Sequence, residues 1–303
     1  MAKKPKPISF EQSTKVRNEE IDKVVPLTKK GYDKVADQIH SQYRRFERSD
    51  SNSPTALRSL QAIVSAGTKK VSREVEKEVR SSMNTISRAV ADDQARWVAE
   101  LSGKKINDYK PFSDKVADIV ASGKLYKGNL ALSRRIWREG ENLEKTVSWI
   151  IAGGLKKGWS VYEIAMSVES YVRPEAQKQW NLTTKDGLRI WPGEIDKNAA
   201  RLVRTTLQHA YQEAIREELE QNPFVDKVMW LASGPRPCPL CQDRDGRIYT
   251  LDDLPLDHPN GMCTFVPIME KDWPKRLGEW QAGGKDKEID EFMEHYGIDL
   301  EEL

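Results

Sequence analysis

LRSLQAIVSAGTKKVSREVEKEVRSSMNTISRAVADDQARWVAEL, residues 57–101, is the most regular stretch of the chain. Leu57, Leu60, Val64, Val71, Val75, Val79, Met83, Ile86, Val90, Trp97 and Leu101 recur at steps of three, four or seven. The positions between them are Lys, Arg, Glu and Ser. That pattern predicts a helix with a narrow apolar seam and a charged exterior. Unbroken, it would be about 70 Å long at 1.5 Å per residue. Gly67 is expected to weaken it locally.

Upstream, Tyr32, Val35, Ile39, Tyr43 and Phe46 make a second apolar stripe at helical spacing. Pro26 is expected to interrupt the helix before it. Ser49 to Pro54 reads as a turn that ends with Ser53 as a helix cap and Pro54 at the first helical position. The two stripes together predict a long N-terminal helical hairpin, or a helix that pairs with other subunits.

Ser102-Gly103-Lys104-Lys105 stops that helix, and shorter helices are expected near 111–122 and 130–155. Gly158-Trp-Ser160 reads as a stop and a cap before an amphipathic helix over Val161–Val172. Pro174 to Gly193, with Trp180 and Trp191, reads as irregular. A strong helix is expected from Ile195 to Gln221, with Ala199, Val203, Leu207, Ala210 and Ala214 on one face and Asn222-Pro223 as its stop.

Beyond it the period changes. Val225–Ala232, Arg247–Thr250 and Thr264–Ile268 read as strands, with Pro, Gly and Asp crowding the connections. The expected organisation is therefore mainly α with a small C-terminal α+β module of zinc-knuckle type. Its parts are an N-terminal arm over 1–128, a helical part over 129–224, a Cys/His module over 225–268, and a tail over 269–303 with an acidic helix near 286–296.

That module holds all three cysteines of the chain and one of its four histidines. They read Cys238-Pro-Leu-Cys241 and, after sixteen residues, His258-Pro-Asn-Gly-Met-Cys263. A Cys pair two apart followed by a His and a Cys is the spacing of a tetrahedral zinc site, with Cys238, Cys241, His258 and Cys263 as ligands. Four protein ligands leave no open position, so the zinc would be structural and would add folding energy to a module too small for its own core. Buried reduced thiols, with His258 capping a turn, are the competing reading. Pro237-Cys238-Pro-Leu-Cys241 also matches half of the zinc-deaminase signature, but no His-x-Glu precedes it. An HNH-like, divalent-metal nuclease or toxin-like effector would use Asp257 and His258 as its catalytic pair, yet no second catalytic His follows closely. Asp243, Asp245, Asp252, Asp253 and Asp257 crowd the cysteines; a second cation would suit them, and loop solvation and turn formation explain them as well.

Leu132-Ser-Arg-Arg-Ile-Trp137, Ile150-Ile-Ala-Gly-Gly-Leu-Lys-Lys-Gly158-Trp-Ser160 and Ala200-Arg-Leu-Val-Arg204-Thr205 follow one another in the second half of the chain. After them come Lys227-Val-Met-Trp230, Cys238-Pro-Leu-Cys241, Asp245-Gly246-Arg-Ile-Tyr249 and His258-Pro-Asn-Gly261-Met-Cys263. That order of motifs across residues 129–268 resembles the phage head morphogenesis (phage Mu F-like) minor head protein family. Many members read His-Pro-Asn-Cys-Arg-Cys, so Gly261 and Met262 depart from the pattern and leave the four-ligand set without a spare. The resemblance implies a non-enzymatic virion component of a tailed phage or prophage, located in the head interior or at the portal vertex. It implies portal or capsid protein as partner and a part in head assembly, DNA packaging or DNA ejection.

The rest of the composition bounds this reading. Of 303 residues, 49 are basic and 47 acidic, 32% are charged and 38% hydrophobic, and the mean hydropathy is −0.69. There is no run of about 18 apolar residues to cross a membrane, and basic Met1–Pro7 is followed by no apolar stretch of a secretory signal. Clustered cysteines fit a reducing compartment, so synthesis in a host bacterial cytoplasm is expected. Lys69-Lys70, Arg134-Arg135 and Lys156-Lys157 offer non-specific contacts to DNA phosphates; with acids nearly balancing bases, solvated helix faces are the favoured reading. Trp137, Trp149, Trp159, Trp230 and Trp273 are expected as core plugs, and Arg204 as a clamp on the Cys/His module through carbonyls or a carboxylate.

Overall fold

The structure, a computed structural model, describes residues 6–46, 53–126, 128–173, 195–234 and 237–298. The irregular reading of Pro174–Gly193, with Trp180 and Trp191, and most of the basic N-terminus lie outside those residues. Helices α1 (Glu11–Tyr43) and α2 (Pro54–Ser102) are followed by α3 (Val116–Ser122), α4 (Leu132–Lys156), α5 (Val161–Val172) and α6 (Ile195–Glu220). Then come strand β1 (Val225–Leu231), helix α7 (Pro239–Arg244), strands β2 (Ile248–Tyr249) and β3 (Thr264–Met269), and helices α8 (Trp273–Gln281) and α9 (Lys287–His295). The three strands form one antiparallel sheet in the order β2-β1-β3. The protein is thus mainly α with a small α+β part, as the hydrophobic periods require. Among the described residues, no helix is long and apolar enough to cross a membrane.

The chain divides into two compact units, one of residues 1–21, 80–126 and 204–303, the other of residues 22–79 and 127–203. In the second, α1 and α2 run antiparallel. Tyr43 donates to the carbonyl of Ala56 at 2.5 Å, and Gln42 Nε2 to Ser59 Oγ at 2.8 Å. Pro54 is the first helical residue, and Ser53 Oγ accepts from the Ala56 amide at 3.3 Å.

One expectation for these helices is corrected. α1 runs straight through Pro26. Proline removes one helical hydrogen bond, a cost of about 3 kcal/mol, but Val24, Thr28 and Tyr32 around it are buried and offset that loss. Thr28 Oγ1 also donates to the Val25 carbonyl at 2.7 Å. α2 is continuous through Gly67, where a Cβ would lie 2.5 Å from Val35 Cγ2, and Gly31 has the mirror role against Val71. α5 starts at a full capping box, with Ser160 Oγ accepting from Glu163 N and the Glu163 carboxylate from Ser160 N. Glu169 on α5 is buried and takes His40 Nδ1 at 3.1 Å and Arg173 NH2 at 2.7 Å.

In the first unit, Trp97, Phe224 and Trp273 form an aromatic cluster with centroids 5.9–6.0 Å apart. Trp230 is fully buried against Phe265 at 5.3 Å. The tail carries α8 as well as the acidic helix α9, and both bury apolar faces, Trp273, Leu277 and Trp280 on one and Ile289, Phe292 and Met293 on the other. Of the tryptophans expected as core plugs, Trp230 and Trp273 are buried, Trp137 and Trp159 are half-buried, and one is turned out. Trp149 is 62% exposed, because it lies on the side of α4 opposite the buried Leu143, Val147, Ile150 and Ile151.

A buried polar knot ties this unit together. Glu218 accepts from Gln94 Nε2 at 3.1 Å and from the Ser113 amide at 2.9 Å, and Gln94 also meets Tyr296 Oη at 3.1 Å. Burial pushes the Glu218 carboxyl up to about 7 from its ordinary 4.5, against the Ser113 hydrogen bond that holds it down. The folded state therefore binds more protons than the unfolded state between those values. The contribution is full below the unfolded pKa and is lost as pH rises through about 7, amounting to about 3 kcal/mol. Burial lowers His295 and acts in the opposite direction. The comparison that isolates Glu218 is thus with Glu218→Gln: between pH 5 and pH 8 the thermal midpoint of the wild type should fall relative to that of the variant. Parallel midpoints across that range would refute the assignment.

Candidate metal centre

Strand β1 alternates, with Val228 and Trp230 facing the core. Its main chain holds the Cys-x-x-Cys side of the site. Trp230 N donates to Arg247 O at 2.8 Å and Gly246 N to Trp230 O at 2.9 Å. Asp245 Oδ1 accepts from Ala232 N at 2.8 Å. Gly246 has φ 73°, a left-handed conformation that glycine adopts without penalty. Between β1 and this turn, Cys238 caps α7 and Pro239 occupies its first turn. One helical turn then brings Cys241 onto the same side as Cys238.

The second knuckle is a reverse turn. Gly261 N donates to His258 O at 2.8 Å, Pro259 is second in the turn, and Asn260 has φ 64°. Proline second, positive φ third and a first-to-fourth hydrogen bond mark a type II turn. The chain then runs through Met262 and Cys263 into β3.

These two turns bring the four expected ligands into one neighbourhood, as two overlapping triples of ligand atoms rather than one set of four. His258 Nε2 lies 3.2 Å from Cys238 Sγ and 3.0 Å from Cys241 Sγ. Cys263 Sγ lies 3.3 Å from Cys241 Sγ. The triples share Cys241, one with Cys238 and His258, the other with Asp257 and Cys263, each within 4.8 Å. Around a tetrahedral zinc, sulfurs would stand about 3.8 Å apart and sulfur to nitrogen about 3.5 Å. To hold the ion, the short edges at Cys241 and His258 would open by about half an ångström and Cys263 would close on Cys238 and His258.

Three further features suit metal ligation. His258 Nδ1 is 2.9 Å from Pro259 O, which fixes the proton on Nδ1 and leaves the Nε2 lone pair facing the sulfurs. Cys241 and Cys263 are buried while Cys238 stands at the rim. The Cys238 thiol is held below its ordinary value, first by the Cys241 amide and less by His258. Burial and the neighbouring thiols push Cys241 up. A cation would replace that proton, which is how metal uptake couples to pH.

Asp257 is a scaffold rather than a fifth ligand. Its Oδ2 accepts from Cys263 N at 3.0 Å and Gln208 Nε2 at 3.2 Å, and its Oδ1 from His258 N at 2.8 Å. The carboxylate therefore holds the turn that carries two ligands. Gly261 is what allows this, since a Cβ there would lie 2.1 Å from the Asp257 carboxyl.

Much of what supports the site lies elsewhere in sequence. Thr205, Gln208, His209 and Gln212 on α6 are buried and polar, spaced i, i+3, i+4 and i+7. Thr205 Oγ1 accepts from Asn260 N at 3.1 Å, and Gln208 Nε2 donates to Cys263 O at 2.6 Å. His209 Nε2 meets Asp257 O at 2.9 Å, and Gln212 Oε1 accepts from Asp257 N at 2.9 Å. A polar helical stripe next to the apolar one was the signal available in the sequence. Arg204, the expected clamp, is exposed. Arg17 of α1 does that work instead, donating through one nitrogen to Gln208 Oε1 at 2.9 Å, Met262 O at 3.3 Å and Cys263 O at 3.4 Å. It is only 2% exposed and lies over the Tyr211 ring at 4.6 Å. A face of α1 turned to this part of the chain could not be read from Arg17 alone.

Searched against protein families, curated proteins and solved structures, the chain matches none of them.

Proposed function

We propose that this chain is a non-enzymatic minor head protein of a tailed phage or prophage, with one structural zinc held by Cys238, Cys241, His258 and Cys263. It is made in the host cytoplasm and resides in the head interior or at the portal vertex. There it contacts portal or capsid protein, and DNA without sequence preference, in head assembly, packaging or ejection. The observation that carries this reading is the meeting of its motifs. Thr205, the Trp230 main chain, Asp245-Gly246 and the four ligands, scattered over sixty residues, form one hydrogen-bonded centre.

A closed ligand set suits a staple and not a reaction. The nuclease alternative is disfavoured by the same geometry. A general base needs a lone pair free to take a proton, and His258 Nε2 is turned to two sulfurs. A metal-binding carboxylate needs free oxygens, whereas both oxygens of Asp257 accept hydrogen bonds from its own turn and from α6.

Elemental analysis of the reduced, folded protein should give about one zinc per chain, and DNA-filled heads of the encoding phage should contain the chain at low copy. Folded protein without metal would remove the staple, and heads lacking the chain would remove the virion role. Magnesium- or manganese-dependent nicking of DNA, abolished by His258→Ala, would instead establish the nuclease.

A further inference from the structure

The solvent side of α4 sets exposed cations beside an exposed aromatic ring. Several exposed cations elsewhere pair with an acid one turn away, as in Lys15–Glu19, Lys29–Asp33, Arg88–Asp92, Lys275–Glu279 and Lys287–Glu291, whereas others, such as Lys69, Lys70 and Lys77 on α2, stand exposed beside no such aromatic among the described residues. On α4 the exposed positions include Arg138, Asn142, Lys145, Ser148, Trp149 and Lys156, while the acids of the helix, Glu139, Glu141 and Glu144, are half-buried. Arg134 is taken up by Glu141 at 3.0 Å. Arg138, Lys145 and Lys156 make no ion pair among the described residues.

Their spacing puts them in line. At 100° per residue, Arg138, Lys145 and Lys156 fall within about 40° of Trp149 around the helix, over about 27 Å of its length. The ring between them is 62% exposed. Its neighbours one turn on are Ala152 and Gly153, and a Cβ at Gly153 would meet nothing within 4 Å. Small residues thus leave the flank of the indole clear.

The geometry points to a binding site for single-stranded nucleic acid along this face of α4. Phosphates lie on Arg138, Lys145 and Lys156, and an unpaired base stacks on Trp149. Unpaired cations in a row select a polyanion. A flat aromatic among them, outside any pocket, selects one with faces to stack, since base–aromatic stacking contributes about 1–3 kcal/mol per base and tolerates any sequence. A protein-binding tryptophan is instead an anchor that fills a partner's pocket, ringed by near-neutral contacts. The inference deepens the non-specific DNA contact proposed above and rests on that reading only for where the polymer is met.

The test is fluorescence anisotropy of the full-length protein with a labelled 20-nucleotide oligo-dT and with a 20-base-pair duplex, across salt concentrations. For three phosphate contacts the single strand should give a log–log salt slope of about −2. Lys145→Glu with Lys156→Glu should weaken binding at least tenfold, while the same charge change at Lys275 and Lys287 should change it less than twofold. Trp149→Ala should weaken binding of the single strand about fivefold or more and leave duplex binding unchanged. Circular dichroism should report the same helix content for every variant. No binding at low salt, equal losses in the control pair, or indifference to Trp149→Ala would each overturn the site. None of those results bears on the presence of the chain in heads, so the two readings fail separately.

Discussion

Removing the proposed zinc, by a strong chelator or by Cys263→Ser, lowers the thermal midpoint by about 6 °C or more. The expectation follows from where the binding energy goes. A structural zinc contributes about 10–16 kcal/mol of apparent binding free energy in small peptides. A folded unit that keeps even about 3 kcal/mol of it loses that stability on chelation. At about 2–4 °C per kcal/mol for a unit of this size, the shift is large enough to read without ambiguity. Cys263 is the most sensitive position, since it is buried and its main chain is held from both sides, its amide by Asp257 and its carbonyl by Gln208 and Arg17.

The same bonds decide how far the damage travels. A self-contained module would lose only residues 225–268. Here Arg17 donates to the carbonyls of Met262 and Cys263, and Tyr211 Oη bridges Thr14 Oγ1 at 2.6 Å and Thr264 Oγ1 at 2.7 Å. Arg17 is a buried cation with no carboxylate in hydrogen-bond reach among the described residues, so the loss of its carbonyl acceptors is costly. Hydrogen exchange should therefore quicken on chelation in residues 237–264 and in residues 11–21 of α1, but not in residues 54–79 of α2. Exchange confined to residues 225–268 would show that the module stands alone. Unchanged exchange after verified metal loss would remove the staple.

How much of this was legible in the sequence depends on what each residue's partner was. Periodicity alone placed α2, α5 and α6, because burial on one face is a local property of a helix. The four ligands were legible since soft donors at knuckle spacing have few other uses. Pro26 misled because its local preference was read without its neighbours Val24 and Tyr32, which are buried beside it. At Gly67 nothing in the sequence signalled the close approach to Val35. Trp149 misled because a tryptophan's size favours burial on average, while its place on α4 turns it out. The polar stripe of α6 was legible as a period but not as a role: Gln208 and Gln212 take their meaning from main-chain groups some fifty residues away.

Gly261→Ala should abolish metal retention as effectively as the loss of a ligand. The glycine is not required by its backbone, for it is absent from the residues with positive φ. What it supplies is space, because a methyl group there would sit 2.1 Å from the Asp257 carboxyl. That carboxylate cannot step aside freely, since it accepts from Cys263 N, His258 N and Gln208 Nε2. Displacing it combines overpacking of about 1–3 kcal/mol with the loss of hydrogen bonds to a charged group, about 1.5–3 kcal/mol each. A double-mutant cycle separates this account from general fragility. On an Asp257→Ala background the methyl has room, so Gly261→Ala should add less than about 0.5 kcal/mol to the destabilisation, where alone it costs about 3 kcal/mol or more. Additive losses would mean that Gly261 serves the turn in some way other than making room for Asp257, and metal titration of the four proteins decides between the two.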